Sequence, residues 1–178
     1  HALSIRAFGD HSWAWRITSL LAGVALIFLT FAIVLKLTHD FWVSALASLL
    51  LAFDCISMTQ ARIMMHNSIM LLLMMLSLYA VICHTETHEW PRKKAFFLAG
   101  IFLGLGAAAR WVALGIKPVI DLFLIKDFLK AERKRAYLSD IFFYLIILSI
   151  VIYFAVHLIF PFIKGFGWSE IWRDQIHM

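Results

Sequence analysis

The sequence predicts an all-α protein, a polytopic bundle of membrane helices. Two observations carry this. Of its 178 residues, 63% are hydrophobic and only 15% charged, with a mean hydropathy of +0.87. A soluble domain of this length cannot hide so much apolar surface, whereas a bilayer can act as its solvent. The apolar residues also come in long runs separated by short polar connections.

Six apolar segments follow in order. They run over 17–37, 41–58, 68–83, 95–109, 112–125 and 141–163. A straight crossing takes about 20 helical residues. The first and sixth meet that length. The third, fourth and fifth are short, and the fifth is interrupted at Lys117-Pro118. Short segments are expected to tilt or to end in a protein-lined, watery cavity. The whole is one transmembrane domain: an outer interfacial segment over 1–16, six membrane segments over 17–163, and an outer amphipathic segment over 164–178. In the first of these, Trp13 and Trp15 precede a span, as headgroup-level tryptophans do. In the last, Trp168, Ile171, Trp172 and Ile176 share one helical face, with Glu170, Arg173 and Asp174 on the other. That pattern suits a helix lying on the membrane, as a simple anchor would.

Orientation follows from the basic residues. Lys36 lies between segments one and two, and Arg92, Lys93 and Lys94 between three and four. Lys126, Lys130, Arg133, Lys134 and Arg135 lie between five and six. These loops are expected to face the cytoplasm. The formal charge of +5 therefore reads as an orientation signal, not as a nucleic-acid surface. The stretch "FDCISMTQARIMMHNS", Phe53 to Ser68, then faces outward.

On that outer side several polar groups are expected to meet. Arg16 opens segment one, Asp54 to Asn67 joins segments two and three, and Arg110-Trp111 joins four and five, with Lys117 just beyond. Ionisable groups at membrane depth are costly and usually interior, paired and functional. Arginine's planar fork fits phosphate oxygens, so Arg16, Arg62 and Arg110 are candidates to hold a headgroup phosphate on a lipid carrier. The plainer reading pairs Arg62 with Asp54 and lets Arg16 and Arg110 snorkel to ordinary phospholipid. Asn67 is a candidate helix cap, and His66 a candidate ligand or acid/base, or a hydrogen-bonded bystander.

Other motifs carry less. His84 and His88 have metal-ligand spacing on a helix, but no third strong ligand is in view, so no metal is expected. Gly100, Gly104 and Gly106 in "GIFLGLGAAAR" form a small-residue face for close helix approach, not a phosphate loop. Cys55 and Cys83 fall near opposite ends of successive segments, which argues against a disulfide. No signal peptide is visible. The chain starts at His1 and ends within an amphipathic pattern, so it is expected to be a fragment.

Several of these stretches, taken in order, resemble the protein O-mannosyltransferases, glycosyltransferase family 39, in their bacterial form. "WAWRITSLLAG" resembles the family's arginine-containing entry to a membrane helix. "LLAFDCISMTQARIMMHNS" resembles its apolar run, Asp, Thr-Gln-(Ser/Ala)-Arg and Leu-Asp-Ser. "LAGIFLGLGAAARWVAL" with "IDLF" resembles its Gly-rich segment ending in a basic residue and Trp. The resemblance covers nearly the whole chain. It implies a GT-C-like fold and transfer of mannose, with inversion, from a polyprenyl-phosphate carrier to Ser and Thr hydroxyls of proteins. It places the active face in the periplasm or the lumen, in a bacterial plasma membrane or the endoplasmic reticulum membrane.

The resemblance implies that Arg62, Arg110 and Arg16 bind the donor phosphate, supported by Asp54, Asn67, His66 and Trp111. It implies partners in a lipid-linked sugar donor, a protein acceptor and membrane lipids, with no separate cofactor. The resemblance also places the catalytic acid in a loop that would lie upstream of His1, so the fragment alone is expected to be inactive. His66-Asn67 departs from the family's Leu-Asp, which leaves open a sister enzyme moving another sugar, such as aminoarabinose, onto a lipid. A transporter or non-catalytic scaffold is the reading from another class, though the pseudo-symmetric halves of a transporter are not visible.

Overall fold

The computed structural model describes residues 12–54, 67–109, 111–130 and 134–164, with side chains described within 17–54, 67–109, 113–129 and 134–157. Every regular element among them is helical. Helix α1 is Ser12–Thr38, α2 Phe41–Ala52, α3 Asn67–Thr85 and α4 Arg92–Ala109. A 3-10 turn over Trp111–Ile116 leads into α5, Lys117–Lys130. Then α6, Lys134–Asp140, runs through a π-helical stretch, Ile141–Ile147, into α7, Leu148–Lys164. The predicted all-α membrane fold is therefore what the chain adopts.

The count of spans is smaller than the count of apolar segments. Three helical stretches are long and apolar enough to cross a membrane, namely Ile17–Thr38, Asn67–Thr85 and Lys134–His157. Length and charge explain the difference. The 12 residues of α2 rise about 18 Å and the 14 of α5 about 21 Å, against a hydrocarbon core of about 30 Å. Helix α4 has 18 residues but opens on Arg92, Lys93 and Lys94.

The turn between α1 and α2 shows how the sequence stops one helix and starts another. His39 takes a left-handed backbone at φ 54°, a conformation histidine adopts more readily than most residues. Asp40 then caps α2, accepting from the N–H groups of Trp42 at 2.8 Å and Val43 at 3.4 Å. The rings of Phe31 and Phe41 meet edge to face at 5.7 Å and hold the hairpin closed.

Helices α3 and α4 form the centre. They are antiparallel, with α1 packed on α3, α2 on α1, α5 on α3, and α7 on α4. The core lies where they meet: Leu78, Val81 and Ile82 of α3, Phe96 and Ala99 of α4, Ile120 and Leu124 of α5, with Tyr137 and Leu145 closing it. Large exposed apolar side chains, such as Phe28, Trp42 and Leu50, face outward as they do on a lipid-facing surface. Buried hydroxyls bridge backbones across helices. Ser77 donates to the carbonyl of Ala99 at 2.9 Å, and Ser149 reaches the carbonyls of Gly100 and Leu145.

The small-residue face of α4 works as the sequence predicts. A β-carbon at Gly100 would stand 2.0 Å from the carbonyl oxygen of Tyr144, inside the π-helical stretch. At Gly104 it would stand 2.8 Å from the carbonyl oxygen of Ser149. Backbone touches backbone there, and a methyl group has no room. At Gly106 the nearest atom is the β-carbon of Ala113 at 3.4 Å, an ordinary contact. Gly100→Ala is therefore expected to lower stability by about 1–3 kcal/mol through overpacking. Gly106→Ala is expected to be neutral or to gain up to about 1 kcal/mol of helix propensity. Thermal unfolding of both variants in detergent micelles measures the contrast.

Candidate functional site

The bundle has two chemically different ends. At one, ion pairs bind the connections to each other. Lys36 at the end of α1 meets Glu89 at 2.5 Å, and Glu86 in the same α3–α4 connection meets Lys126 of α5 at 2.7 Å. His84 in the last turn of α3 faces Asp127 of α5 at 3.5 Å. Arg92 in the first turn of α4 meets Asp140 of α6 at 2.6 Å and lies over the ring of Tyr137. The three basic connections identified in the sequence therefore lie together at one end.

The "HTETHE" stretch belongs to this end and is more ordered than a solvated loop. Backbone N–H groups of Glu86 and Thr87 bond to the carbonyl of Ile82, and those of Glu89 and Trp90 to that of Cys83. His88 takes a left-handed backbone at φ 54°, and its Nδ1 lies 2.6 Å from the carbonyl oxygen of His84. Nδ1 of His84 lies 3.1 Å from the carbonyl oxygen of Trp90. The histidines serve to close the end of α3. No group of three or more metal-ligating side chains occurs among the described residues. Cys83 is a buried free thiol.

The opposite end holds those of the expected site residues that the structure describes. The chain alternates direction through α1 to α4, so the start of α1, the end of α2, the start of α3 and the end of α4 share it. The alternation is fixed by side-chain register. Leu73 of α3 lies level with Gly106 of α4, and Ser77 with Ala99. Asp54 stands just past the end of α2, half-buried, its N–H bonded to the carbonyl of Leu51. Asn67 is the first residue of α3 and is also half-buried. Arg16 lies in the first turns of α1 and Trp111 opens the 3-10 turn, with their side chains outside the description. Arg62, His66 and Arg110 lie outside the described residues.

Two features at this end are new relative to the sequence. Lys117 is matched within its own helix, its Nζ 2.9 and 2.8 Å from the two carboxylate oxygens of Asp121. That pair offsets its charge within the helix. Ser19 is fully buried one turn along α1 from Arg16, and its Oγ has no hydrogen-bond partner among the described residues. A buried hydroxyl left unpaired costs free energy. The sequence signal for it is the Arg16-to-Ser19 spacing, which sets both on one helical face.

This end brings together the start of α3, whose first N–H groups lack intrahelical partners, and the ends of α2 and α4. It offers no cluster of carboxylates or thiols for a metal among the described residues.

Comparison with the curated proteins and with the solved structures finds no match. The family model "Dolichyl-phosphate-mannose-protein mannosyltransferase" matches residues 4–161. That match spans nearly the whole chain and takes in all three candidate crossings up to the last turns of α7. With a membrane-helical fold beneath it, it gives the chemistry in coarse form, a membrane glycosyltransferase of protein O-mannosylation. The chain belongs to the dolichyl-phosphate-mannose-protein mannosyltransferase family.

Proposed function

We propose that this chain builds the donor side of an inverting transferase. The enzyme moves mannose from a polyprenyl-phosphate carrier to Ser or Thr hydroxyls of proteins on the non-cytoplasmic face. The observation that carries the reading is the family match over residues 4–161. Its support from geometry is the separation of the two ends. The basic connections lie tied together at one end, and by the usual charge asymmetry that end faces the cytoplasm. Asp54, Asn67 and the junction after α4 then face the periplasm or lumen.

In this reading Arg62, Arg110 and Arg16 hold the donor phosphate. The acceptor oxygen attacks the anomeric carbon of mannose from the side opposite the carrier. The bond from that carbon to the phosphate oxygen breaks, and its electron pair leaves with the phosphate. Charge grows on the departing phosphate, so guanidinium groups aimed at it stabilise the transition state more than the ground state. The acceptor hydroxyl gives its proton to a carboxylate, and that role is not assigned to any residue of this chain. Asp54 serves as an electrostatic partner that orients Arg62. Asn67 and His66 shape the entry to α3, Trp111 borders the pocket, and Ser19 contributes a buried hydroxyl to it.

Arg62→Gln and Arg110→Gln are each expected to weaken binding of a polyprenyl-phosphate sugar about ten- to a hundredfold, as the loss of one charge-assisted hydrogen bond does. Equilibrium binding of a labelled donor to the folded variants measures this. Unchanged affinity in both removes the phosphate role.

Ser19→Ala separates a pocket hydroxyl from a structural one. Deleting an unpaired buried hydroxyl is expected to leave the unfolding temperature unchanged or raise it. Donor affinity falls if the hydroxyl meets the headgroup, and the same binding assay reads it.

A further inference from the structure

Lys117 and Asp121 form an ion pair on a helix too short to cross the membrane, and contacts at both ends of that helix fix their depth. A β-carbon on Gly106 of α4 would stand 3.4 Å from that of Ala113 and 3.5 Å from that of Leu73, so Ala113 lies level with Leu73 of α3. At the far end of α5, Lys126 meets Glu86 and Asp127 faces His84. Helix α5 therefore descends beside α3 from the level of Leu73 to that of His84, with Lys117 and Asp121 between. Asp121 stands about 9 Å of helix rise above Asp127. That places it near the middle of the crossing Asn67–Thr85, below the outer end.

The pair is not enclosed. The side chains of Lys117 and Asp121 are 35% and 41% exposed. The most open apolar face of α5 is formed by Leu122, Ile125 and Leu129. Lys117 and Asp121 occupy the flank between that face and the core residues Ile120 and Leu124. On the same flank, two turns below Asp121, the ring of Phe128 meets that of Tyr137 at 5.8 Å. The Tyr137 hydroxyl reaches the carbonyl of Leu124 at 3.4 Å. Tyr137 belongs to α6, which rises through the π-helical stretch into α7. The charged flank of α5 thus looks toward the side on which α7 stands.

Helix α7 brings polar groups to that side. Leu145 and Ser149 are buried, and Leu145 shares the core with Ile120 and Leu124 of α5. Tyr153 and His157 continue this run at four-residue steps. Nδ1 of His157 lies 2.9 Å from the carbonyl oxygen of Tyr153, and the two rings are 4.4 Å apart. A carbonyl only accepts, so Nδ1 carries the hydrogen. Nε2 of His157 and the hydroxyl of Tyr153 have no hydrogen-bond partner among the described residues. Helix α5 packs on α3 and α7 on α4, and neither packs on the other.

Charged groups at this depth turn to the bundle interior or to water, not to acyl chains. We propose that a water-filled cleft runs between α5 and α7, lined by Lys117 and Asp121 on one wall and by Tyr153 and His157 on the other. It opens away from the ion-paired end, where Phe128, Tyr137 and Leu145 close it. It admits water and small hydrophilic solutes to the middle of the membrane. Depth, charge and exposure carry this inference, which is independent of the reaction assigned to the chain.

Cysteine labelling of the chain in lipid vesicles, with Cys55 and Cys83 replaced by alanine, tests the cleft. A charged methanethiosulfonate reagent is supplied on both sides of the membrane. It reacts with a thiolate in water and not with a thiol in hydrocarbon. Tyr153→Cys, His157→Cys and Asp121→Cys (the last with Lys117→Met, which leaves no unpaired charge) are expected to react at least about tenfold faster than Leu122→Cys and Phe154→Cys, whose positions lie on exposed apolar faces. Rates are expected to fall from His157 through Tyr153 to Asp121, the deepest position. Intact-protein mass reads the adduct, and circular dichroism checks that helicity is kept. If the Asp121 variant does not fold, Tyr153→Cys and His157→Cys set against Phe154→Cys decide. Reaction at Tyr153 and His157 no faster than at Phe154, an unlabelled Asp121→Cys in a folded variant, or rates that rise toward Asp121 would each overturn the cleft.

Discussion

Gly100 and the carbonyl of Tyr144 set how closely the two halves of this bundle approach. Helices in hydrocarbon gain little from excluding water, so their association depends on how tightly surfaces fit. At Gly100 the fit is backbone against backbone, with no space for a β-carbon. The π-helical widening over Ile141–Ile147 brings the Tyr144 carbonyl to that point, and Ser149 adds a hydroxyl bond to the Gly100 carbonyl from the next turn. On the same side of α4, one to two turns away, Arg92 meets Asp140 at 2.6 Å.

The bundle then divides its work between its ends. One end is cross-linked by ion pairs and by the hydrogen-bonded turn after α3, and the largest core side chains, Phe96 and Tyr137, lie beneath it. The opposite end is built from helix termini, and Asp54 and Asn67, two of the residues that the mannosyltransferase resemblance picks out, stand there. A rigid scaffold with function on its loops is a common arrangement, because loops can vary without disturbing packing.

Much of this was legible in the sequence, for identifiable reasons. Segments one and six carry long apolar runs, and each contains a helix able to cross; segment three looked short, but its helix takes in Asn67, His84 and Thr85 as well and so reaches 19 residues. The glycines of α4 announced a close contact because their spacing is helical and their surroundings apolar. The basic loops announced their common end through charge alone. The short helices were harder, since α2 and α5 are apolar enough to resemble spans while their length emerges only with the turns that bound them. The π-helical stretch has no compositional mark. Lys117 looked available because its partner Asp121 is four residues on, a pairing visible once the helix is known to continue past Pro118. At the candidate site, Asp54 and Asn67 stand at helix ends as their positions suggested. The roles of Arg62 and Arg110 rest on family resemblance, because residue type and depth alone suit either a carrier phosphate or ordinary lipid.

Helices α4 and α7 leave the ion-paired end in the same direction, as Arg92 with Asp140 and Gly104 with Ile152 show. The chain must therefore travel back between them, and α5 makes that return. It is 14 residues long and carries Lys117, Asp121, Lys126 and Asp127, too short and too charged to enter a bilayer unaided. Its apolar residues Ile120 and Leu124 rest in the core beside α3, so the segment that carries the chain back is sheltered by protein where it could not be by lipid.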